Sequence, residues 1–193
     1  MNYLAHAYLS FGDKDILLGN MISDFVKGKQ KFNFDVNIQE GIKIHRAIDE
    51  FTDQHPITKE AKEYFRPIYR LYSGAFIDVV YDHFLALDKV QFPNDNSLLE
   101  FCSEVYNSIQ PSLNILPVRF QKMFPYMRDG NWLYNYRFEW GMKKSFEGLQ
   151  HRAKYISETD SAFEIFNTHY SDLQKSYNIF FPELKTFVLQ FGK

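Results

Sequence analysis

The chain has 193 residues, a length typical of one domain. Hydrophobic residues make up 45% of it and aromatic residues 18%, which is enough apolar bulk for a sizeable core. The 22 basic and 24 acidic residues give a formal net charge of −2, which argues against a general affinity for nucleic acids because such affinity needs surplus Lys and Arg. We therefore expect one domain over residues 1–193 and no nucleic-acid partner.

The single cysteine, Cys102, leaves no possibility of an intrachain disulfide and fits a reducing compartment. The N-terminal stretch MNYLAHAYLSFGDKD has no basic region followed by an apolar run, so it does not resemble a signal peptide. No segment approaches the roughly 18 consecutive apolar residues of a membrane-spanning helix. The sequence therefore predicts a cytoplasmic protein without a membrane span.

Apolar residues recur at helical spacing along the chain, and hairpin signals are absent. This spacing predicts successive helices over residues 14–27, 37–54, 58–71, 74–87, 97–108, 118–126, 132–149 and 160–190. Pro67 is expected to kink or break its helix, and Pro182 is expected to break the last one, because proline removes a helical hydrogen bond. The predicted fold is all-α, a compact bundle with short loops.

Several of these segments carry a histidine or an aspartate on an otherwise apolar face. His45 and Asp49 are four residues apart in the predicted helix over 37–54, so their side chains share one face of it. Asp24 lies among apolar residues of the preceding helix, and His6 lies in the run LAHAYL. The segment AFIDVVYDHFLAL places Asp82 and His83 side by side. Burying an unpaired charge is costly, so these residues need partners.

A bound metal ion would supply such a partner. Nitrogen and oxygen donors together suit Mn²⁺, Fe or Zn²⁺ better than Ca²⁺, and helical bundles commonly hold metals between packed helices. The alternative is structural, because a single inward histidine is more often bonded to a carbonyl. A His/Asp pair four residues apart is more often a surface pair worth ~0.3 kcal/mol. The pattern alone leaves both interpretations open.

The motifs MNYLAHAYLS, LLGNMISDFVKG, GIKIHRAIDEFTD and YDHFL, in this order, resemble those of the bacterial acyl carrier protein phosphodiesterases. The resemblance covers nearly the whole chain and is strongest over residues 1–87. It implies an all-α, HD-domain-like fold, related to the HD-domain metal-dependent phosphohydrolases. It also implies hydrolysis of the phosphodiester that links 4′-phosphopantetheine to a serine of acyl carrier protein, with a divalent metal, typically Mn²⁺, as cofactor.

The resemblance also implies a set of metal ligands. The residues at the family's motif positions are Asp24, His45, Asp49, Asp82 and His83. The adjacent pair has the order Asp-His, whereas ordinary HD proteins have His-Asp. The ligand roles therefore cannot be transferred one by one, and the set of ligands stays open.

Further roles follow from the same resemblance. Asp24 is a candidate for holding a metal-associated water, and Asp49 for orienting the histidine four residues before it. His6 also matches the family and is a candidate ligand or a group that stabilises the leaving oxygen. Arg46 and Lys27 are candidates for binding the diester charge, with Arg46 assigned to catalysis as well.

The implied partner is acyl carrier protein, which is small and acidic. Docking such a protein calls for a basic rim around the site, and the sequence supplies Lys27, Lys29, Lys31, Lys43 and Arg46. Two alternatives remain at this stage. One is a phosphohydrolase of the same fold that acts on a nucleotide, and the other is a helical module that binds carrier protein without turnover.

Overall fold

The computed structural model describes residues 1–191, except for the side chain of Arg152, and no β-strand occurs among them. The α-helices of this part are α1 (Tyr3–Tyr8), α2 (Lys14–Ile22), α3 (Val36–Gln54), α4 (Pro56–Tyr69), α5 (Ser73–Leu87), α6 (Asp95–Ile109), α7 (Val118–Asp129), α8 (Trp132–Asn135), α9 (Glu139–Arg152), α10 (Asp160–Thr168) and α11 (Tyr170–Gln190). Short 3₁₀ helices cover Ser23–Phe25, Gly28–Asn33, Arg70–Tyr72 and Gln110–Ile115. The predicted all-α fold is confirmed.

Three of the predicted helices are divided or end early in the structure. The helix predicted over 132–149 is divided into α8 and α9 between Asn135 and Glu139. The helix predicted over 14–27 ends at Ile22 and continues as the 3₁₀ turn Ser23–Phe25. The helix predicted over 160–190 is divided into α10 and α11 at His169, whose ring stacks on Tyr64 with centroids 4.1 Å apart.

The prediction that Pro182 breaks the last helix is wrong. Helix α11 continues through this proline, and Phe180, Phe181 and Leu184 around it are buried. Burial of these side chains outweighs the cost of ~3 kcal/mol that an interior proline imposes. Helix α4 likewise continues past Pro67 to Tyr69.

Helices α2 and α3 touch each other through their backbones at Gly19 and Gly41. A Cβ atom at Gly19 would overlap the carbonyl oxygen of Ile38, and one at Gly41 would overlap that of Ile16. These two positions therefore accept only glycine, and the close contact sets the register between the two helices.

Helix α5 runs through the centre of the bundle and anchors α1. Its Asp82 is completely buried, and its carboxylate accepts hydrogen bonds from the backbone N–H groups of Asn2 at 3.1 Å, Leu4 at 2.7 Å and Ala5 at 3.4 Å. These N–H groups belong to the N-cap and the first turn of α1. The backbone N–H groups at the start of a helix have no partner within the helix, so they need acceptors from elsewhere. Asp82 thus fixes the position of α1 on α5.

The hydrophobic core is a single cluster that extends from α1 to α11. Aromatic rings dominate it, and the fully buried ones include Phe65, Phe76, Phe84, Phe120 and Phe146. Across residues 1–191, every helix falls short of the length or the apolar character that crossing a membrane requires.

We predict that Gly41→Ala lowers the free energy of unfolding by about 2–4 kcal/mol, because a buried backbone contact must open. Gly148→Ala is the matched control, since a Cβ there meets no atom within 4 Å. That control should stabilise the helix by up to ~1 kcal/mol. Urea unfolding monitored by circular dichroism measures both changes, and equal stabilities for the two variants would contradict the packing described.

Candidate metal centre

Four polar side chains from three elements converge at one edge of the bundle. They are His6 on α1, Asp24 on the 3₁₀ turn, and His45 and Asp49 on α3. Asp49 lies between the two histidines, with Oδ1 3.2 Å from Nε2 of His6 and Oδ2 3.2 Å from Nε2 of His45. Oδ1 of Asp24 lies 3.3 Å from the same nitrogen of His45. The imidazole rings stack with centroids 3.8 Å apart.

The histidine and aspartate side chains of the cluster differ in their exposure to solvent. The side chains of His6 and His45 are only 3% and 6% exposed, whereas those of Asp49 and Asp24 are 41% and 66% exposed. The imidazoles therefore form a buried floor, and the carboxylates form an edge that is open to solvent.

A backbone carbonyl orients His45. Nδ1 of this ring lies 2.7 Å from the carbonyl oxygen of Asn20, which can only accept, so Nδ1 carries the proton and donates it. This bond directs the opposite nitrogen, Nε2, toward the carboxylates. Such a second hydrogen bond is typical of metal-binding histidines, because it sets the tautomer and the ring orientation.

Within the described part of the chain, three buried ring nitrogens of this cluster have no hydrogen-bond partner: Nδ1 and Nε2 of His6 and Nε2 of His45. The two Nε2 atoms nevertheless each lie 3.2 Å from a carboxylate oxygen of Asp49. Buried polar atoms are normally satisfied, so this group of atoms indicates an absent partner.

The ionisable groups of the cluster shift one another's pKa values. Burial lowers the pKa of His45, but the carboxylates of Asp24 and Asp49 outweigh burial and raise it to about 9. Burial and the adjacent His45 lower the pKa of His6 to about 4. The nearby imidazoles hold the pKa of both Asp24 and Asp49 below its usual range, although burial opposes this. At neutral pH two carboxylates thus face the charged imidazole of His45, and the α-amino group of Met1 lies 3.5 Å from Asp49.

The donor set fits a divalent metal. One ligand atom from each of His6, His45 and Asp49 can be chosen so that all three lie within 4.8 Å of one another. Two imidazole nitrogens and a carboxylate oxygen are donors that Mn²⁺, Fe and Zn²⁺ accept. Asp24 extends this set on the solvent side.

The structure gives Asp82 and His83 hydrogen-bond partners outside the cluster, and their role as metal ligands stays a prediction. Asp82 is engaged by the backbone of α1, and burial raises its pKa to about 7 even though these N–H groups act in the opposite direction. His83 lies on a different side of α5, with Nδ1 2.7 Å from the carbonyl oxygen of Tyr136 and Nε2 3.1 Å from the hydroxyl of Tyr170. Both of its nitrogens therefore have protein partners.

The predicted substrate-binding residues lie next to cluster residues in the sequence. Arg46 directly follows His45, is exposed, and donates a hydrogen bond of 3.2 Å to the carbonyl oxygen of Val26. This bond ties α3 to the segment just after Asp24. Lys27 is exposed at the start of the 3₁₀ helix Gly28–Asn33.

Sequence reasoning missed two contributors. One is Asn20, because its role depends on a backbone oxygen. The other is Asp78, whose Oδ1 lies 2.9 Å from the α-amino group of Met1, which in turn lies 3.5 Å from Asp49. Asp78 lies four residues before Asp82 in the same helix, and this spacing was the available signal.

Taken together, these features define an all-α protein with a histidine–carboxylate candidate metal centre at its surface. A family model described as acyl carrier protein phosphodiesterase matches residues 1–184. Proteins named acyl carrier protein phosphodiesterase from Yersinia pestis and from Klebsiella pneumoniae subsp. pneumoniae are each 33% identical over 184 residues, covering 95% of both chains. The one from Yersinia enterocolitica is 32% identical over the same span. The chain belongs to the acyl carrier protein phosphodiesterase family. No solved structure matches it.

We predict that His45→Ala weakens Mn²⁺ binding by at least about 10–100-fold, because it removes a donor from the cluster. His83→Gln is the matched control, since it changes a buried histidine that faces other partners and should leave Mn²⁺ affinity unchanged. Electron paramagnetic resonance of free Mn²⁺ during titration measures both affinities. Loss of binding in His83→Gln with retention in His45→Ala would place the metal elsewhere.

Proposed function

We propose that this protein is a metal-dependent phosphodiesterase that removes 4′-phosphopantetheine from holo-acyl carrier protein. The products are apo-acyl carrier protein and free 4′-phosphopantetheine. Membership of a family whose relatives carry this enzyme's name supports the substrate. The structural observation that carries the proposal is the cluster of His6, His45 and Asp49, with its floor buried and its carboxylate edge open. A serine on the surface of a folded protein can reach only a centre of this open kind.

The proposed cofactor is Mn²⁺, held by His6, His45 and Asp49 with Asp24 beside them. When bound, a divalent cation lowers the pKa of water toward neutrality and offsets the negative charge of the diester. The mixed nitrogen and oxygen donors support a transition metal. Asp82 and His83 are left out of this set because backbone groups and a tyrosine hydroxyl already occupy their polar atoms.

The protein's own groups orient the reactants. Asp49 lies between the two imidazoles and keeps both rings in place. Asp24 is the most exposed member and positions the attacking water on the solvent side. Arg46 and Lys27 contribute positive charge that binds the diester oxygens as negative charge develops. The water oxygen bonds to phosphorus, the bond to the serine oxygen breaks, and this oxygen takes up the proton that the water releases.

A basic rim next to the cluster suits an acidic protein substrate. Lys27, Lys29 and Lys31 follow Asp24 in the chain and are exposed or partly exposed. Phe32 is 63% exposed among them, which gives the rim an apolar contact as well as charge. Complementary charges of this kind mainly accelerate association and orient the partner.

Two broader features belong to the same proposal. Residues 1–193 form one domain that works in the cytoplasm, and the continuous core from α1 to α11 supports the single domain. The helix arrangement is related to that of the HD-domain phosphohydrolases, and the inward His/Asp cluster between packed helices supports this relationship. The Asp82-His83 pair, which lies outside the cluster, sets this chain apart from ordinary HD proteins.

We predict that incubation with Mn²⁺ removes the phosphopantetheine mass from purified holo-acyl carrier protein, as measured by mass spectrometry. A chelator should abolish the reaction, because the cluster then lacks its cation. His45→Ala should be inactive, whereas His83→Gln serves as the folded control and should retain activity.

Two outcomes would contradict this assignment. Turnover of nucleotides without any change in holo-carrier protein would indicate a phosphohydrolase with another substrate. A stable complex with carrier protein and metal, without release of 4′-phosphopantetheine, would indicate a binding module.

The basic rim yields a separate prediction. The double variant Lys29→Glu, Lys31→Glu should raise KM for holo-carrier protein about tenfold at low salt with little change in kcat, because it repels the acidic partner. The difference should shrink at high salt, where exposed charges are screened. Lys59→Glu with Lys122→Glu makes the same charge change on α4 and α7 and is the matched control. Equal KM values for the two double variants would exclude docking on the rim.

A further inference from the structure

A cleft of about 530 Å³ lies beside the first turn of α1, and the hydrolysis described above does not use it. Asn2 and Tyr3 form one wall, and the other wall comes from α7, α8 and α9. Small-molecule sites in proteins typically enclose about 300–1,000 Å³, so the cleft has the size of a ligand site.

The cleft adjoins the candidate metal centre along α1. Asn2 and Tyr3 line the cleft. His6 of the metal centre lies four residues after Asn2 and three residues after Tyr3. Residues at these spacings share one side of a helix, and the backbone N–H of His6 donates to the carbonyl of Asn2 at 3.2 Å. The cleft and the metal centre are therefore about one helical turn apart along α1.

The lining combines flat apolar groups and neutral polar groups with three ionisable side chains, those of Lys144, Glu147 and His151. Trp132, Trp140 and Met123 supply indole rings and a thioether. Asn135 and Ser145 supply an amide and a hydroxyl. This mixture suits an uncharged aliphatic chain interrupted by amide groups, because the rings pack on methylene and methyl groups while the polar groups pair with the amides.

We propose that this cleft receives the pantetheine arm of the carrier protein while the phosphodiester lies at the metal centre. The inference rests on the proposed function and adds the part of the substrate that the cluster and the basic rim do not contact. Pantetheine has a branched aliphatic head, two amides and a terminal thiol, and this composition matches the lining. The phosphate end of the arm lies on the His6 side of the cleft.

Tryptophan fluorescence tests the proposal directly. The chain contains two tryptophans, and both Trp132 and Trp140 line the cleft. Titration with pantetheine, in the presence of a chelator, should give a saturable change in emission, because binding excludes water from both indoles. Isothermal calorimetry of the same titration provides a readout that does not depend on the fluorophores.

Gly148 is a position at which an added side chain would fill the cleft. It lines the cleft, and a Cβ added there meets no atom within 4 Å. Gly148→Phe should project its ring into the cleft and lower both pantetheine affinity and kcat/KM for holo-carrier protein by about tenfold or more. Leu71→Phe introduces the same ring at a fully exposed position of the 3₁₀ helix Arg70–Tyr72, outside the cleft, and should behave like the wild type. Thermal unfolding of both variants verifies that they fold.

The outcomes separate this inference from the proposed function. Pantetheine binding that Gly148→Phe weakens supports the cleft, even when holo-carrier protein is not hydrolysed and the proposed reaction fails. Hydrolysis by the wild type with no emission change and no heat of binding overturns the cleft assignment. Equal kcat/KM for Gly148→Phe and Leu71→Phe overturns it as well.

Discussion

The backbone contact between α2 and α3 at Gly19 and Gly41 is the constraint on which the candidate metal centre depends. Because no side chain separates the helices there, the carbonyl of Asn20, one residue beyond Gly19, comes within 2.7 Å of the His45 ring. The 3₁₀ turn that follows α2 then places Asp24 3.3 Å from the other nitrogen of that ring. A wider spacing between these helices would remove both contacts together, so the packing of two glycines determines the orientation of one histidine.

Helix α1 depends on a second constraint, the buried carboxylate of Asp82. A helix of six residues has little stability of its own, and most of its backbone donors lie in the first turn. Asp82 satisfies three such N–H groups from α5, which holds α1 where His6 stacks on His45. This arrangement explains a carboxylate in an apolar helix without a metal. The motif aspartates thus divide into those that face the cluster and one that positions it.

The sequence predicts the helices well and the site in part, for identifiable physical reasons. Helical period reveals which residues face inward, and the spacing of His45 and Asp49 therefore places them together. The helical period does not reveal which partner an inward-facing residue contacts, so it cannot predict the hydrogen bonds of Asp82 and His83. Their partners are mostly backbone groups, namely the N–H groups of α1 and the carbonyl of Tyr136. Because every residue type carries such groups, the sequence does not reveal which of them will accept or donate these hydrogen bonds. Pro182 shows the same limit, because packing around it outweighs its local preference.

The difference in exposure across the cluster explains how one centre can serve a protein substrate. Buried imidazoles keep a fixed orientation, since the structure around them is closely packed, whereas exposed carboxylates leave room for a bulky partner to approach. Under the proposed function the substrate has three chemically different parts: an acidic protein, a phosphodiester and an uncharged arm. The basic 3₁₀ segment, the cluster and the cleft offer three surfaces of matching chemistry. In the chain, Asp24 of the cluster precedes the basic segment, and His6 of the cluster follows the cleft residues of α1. Recognition of both neighbouring parts would align the diester with the centre before any bond is broken, which is how binding energy remote from the reacting atoms assists catalysis.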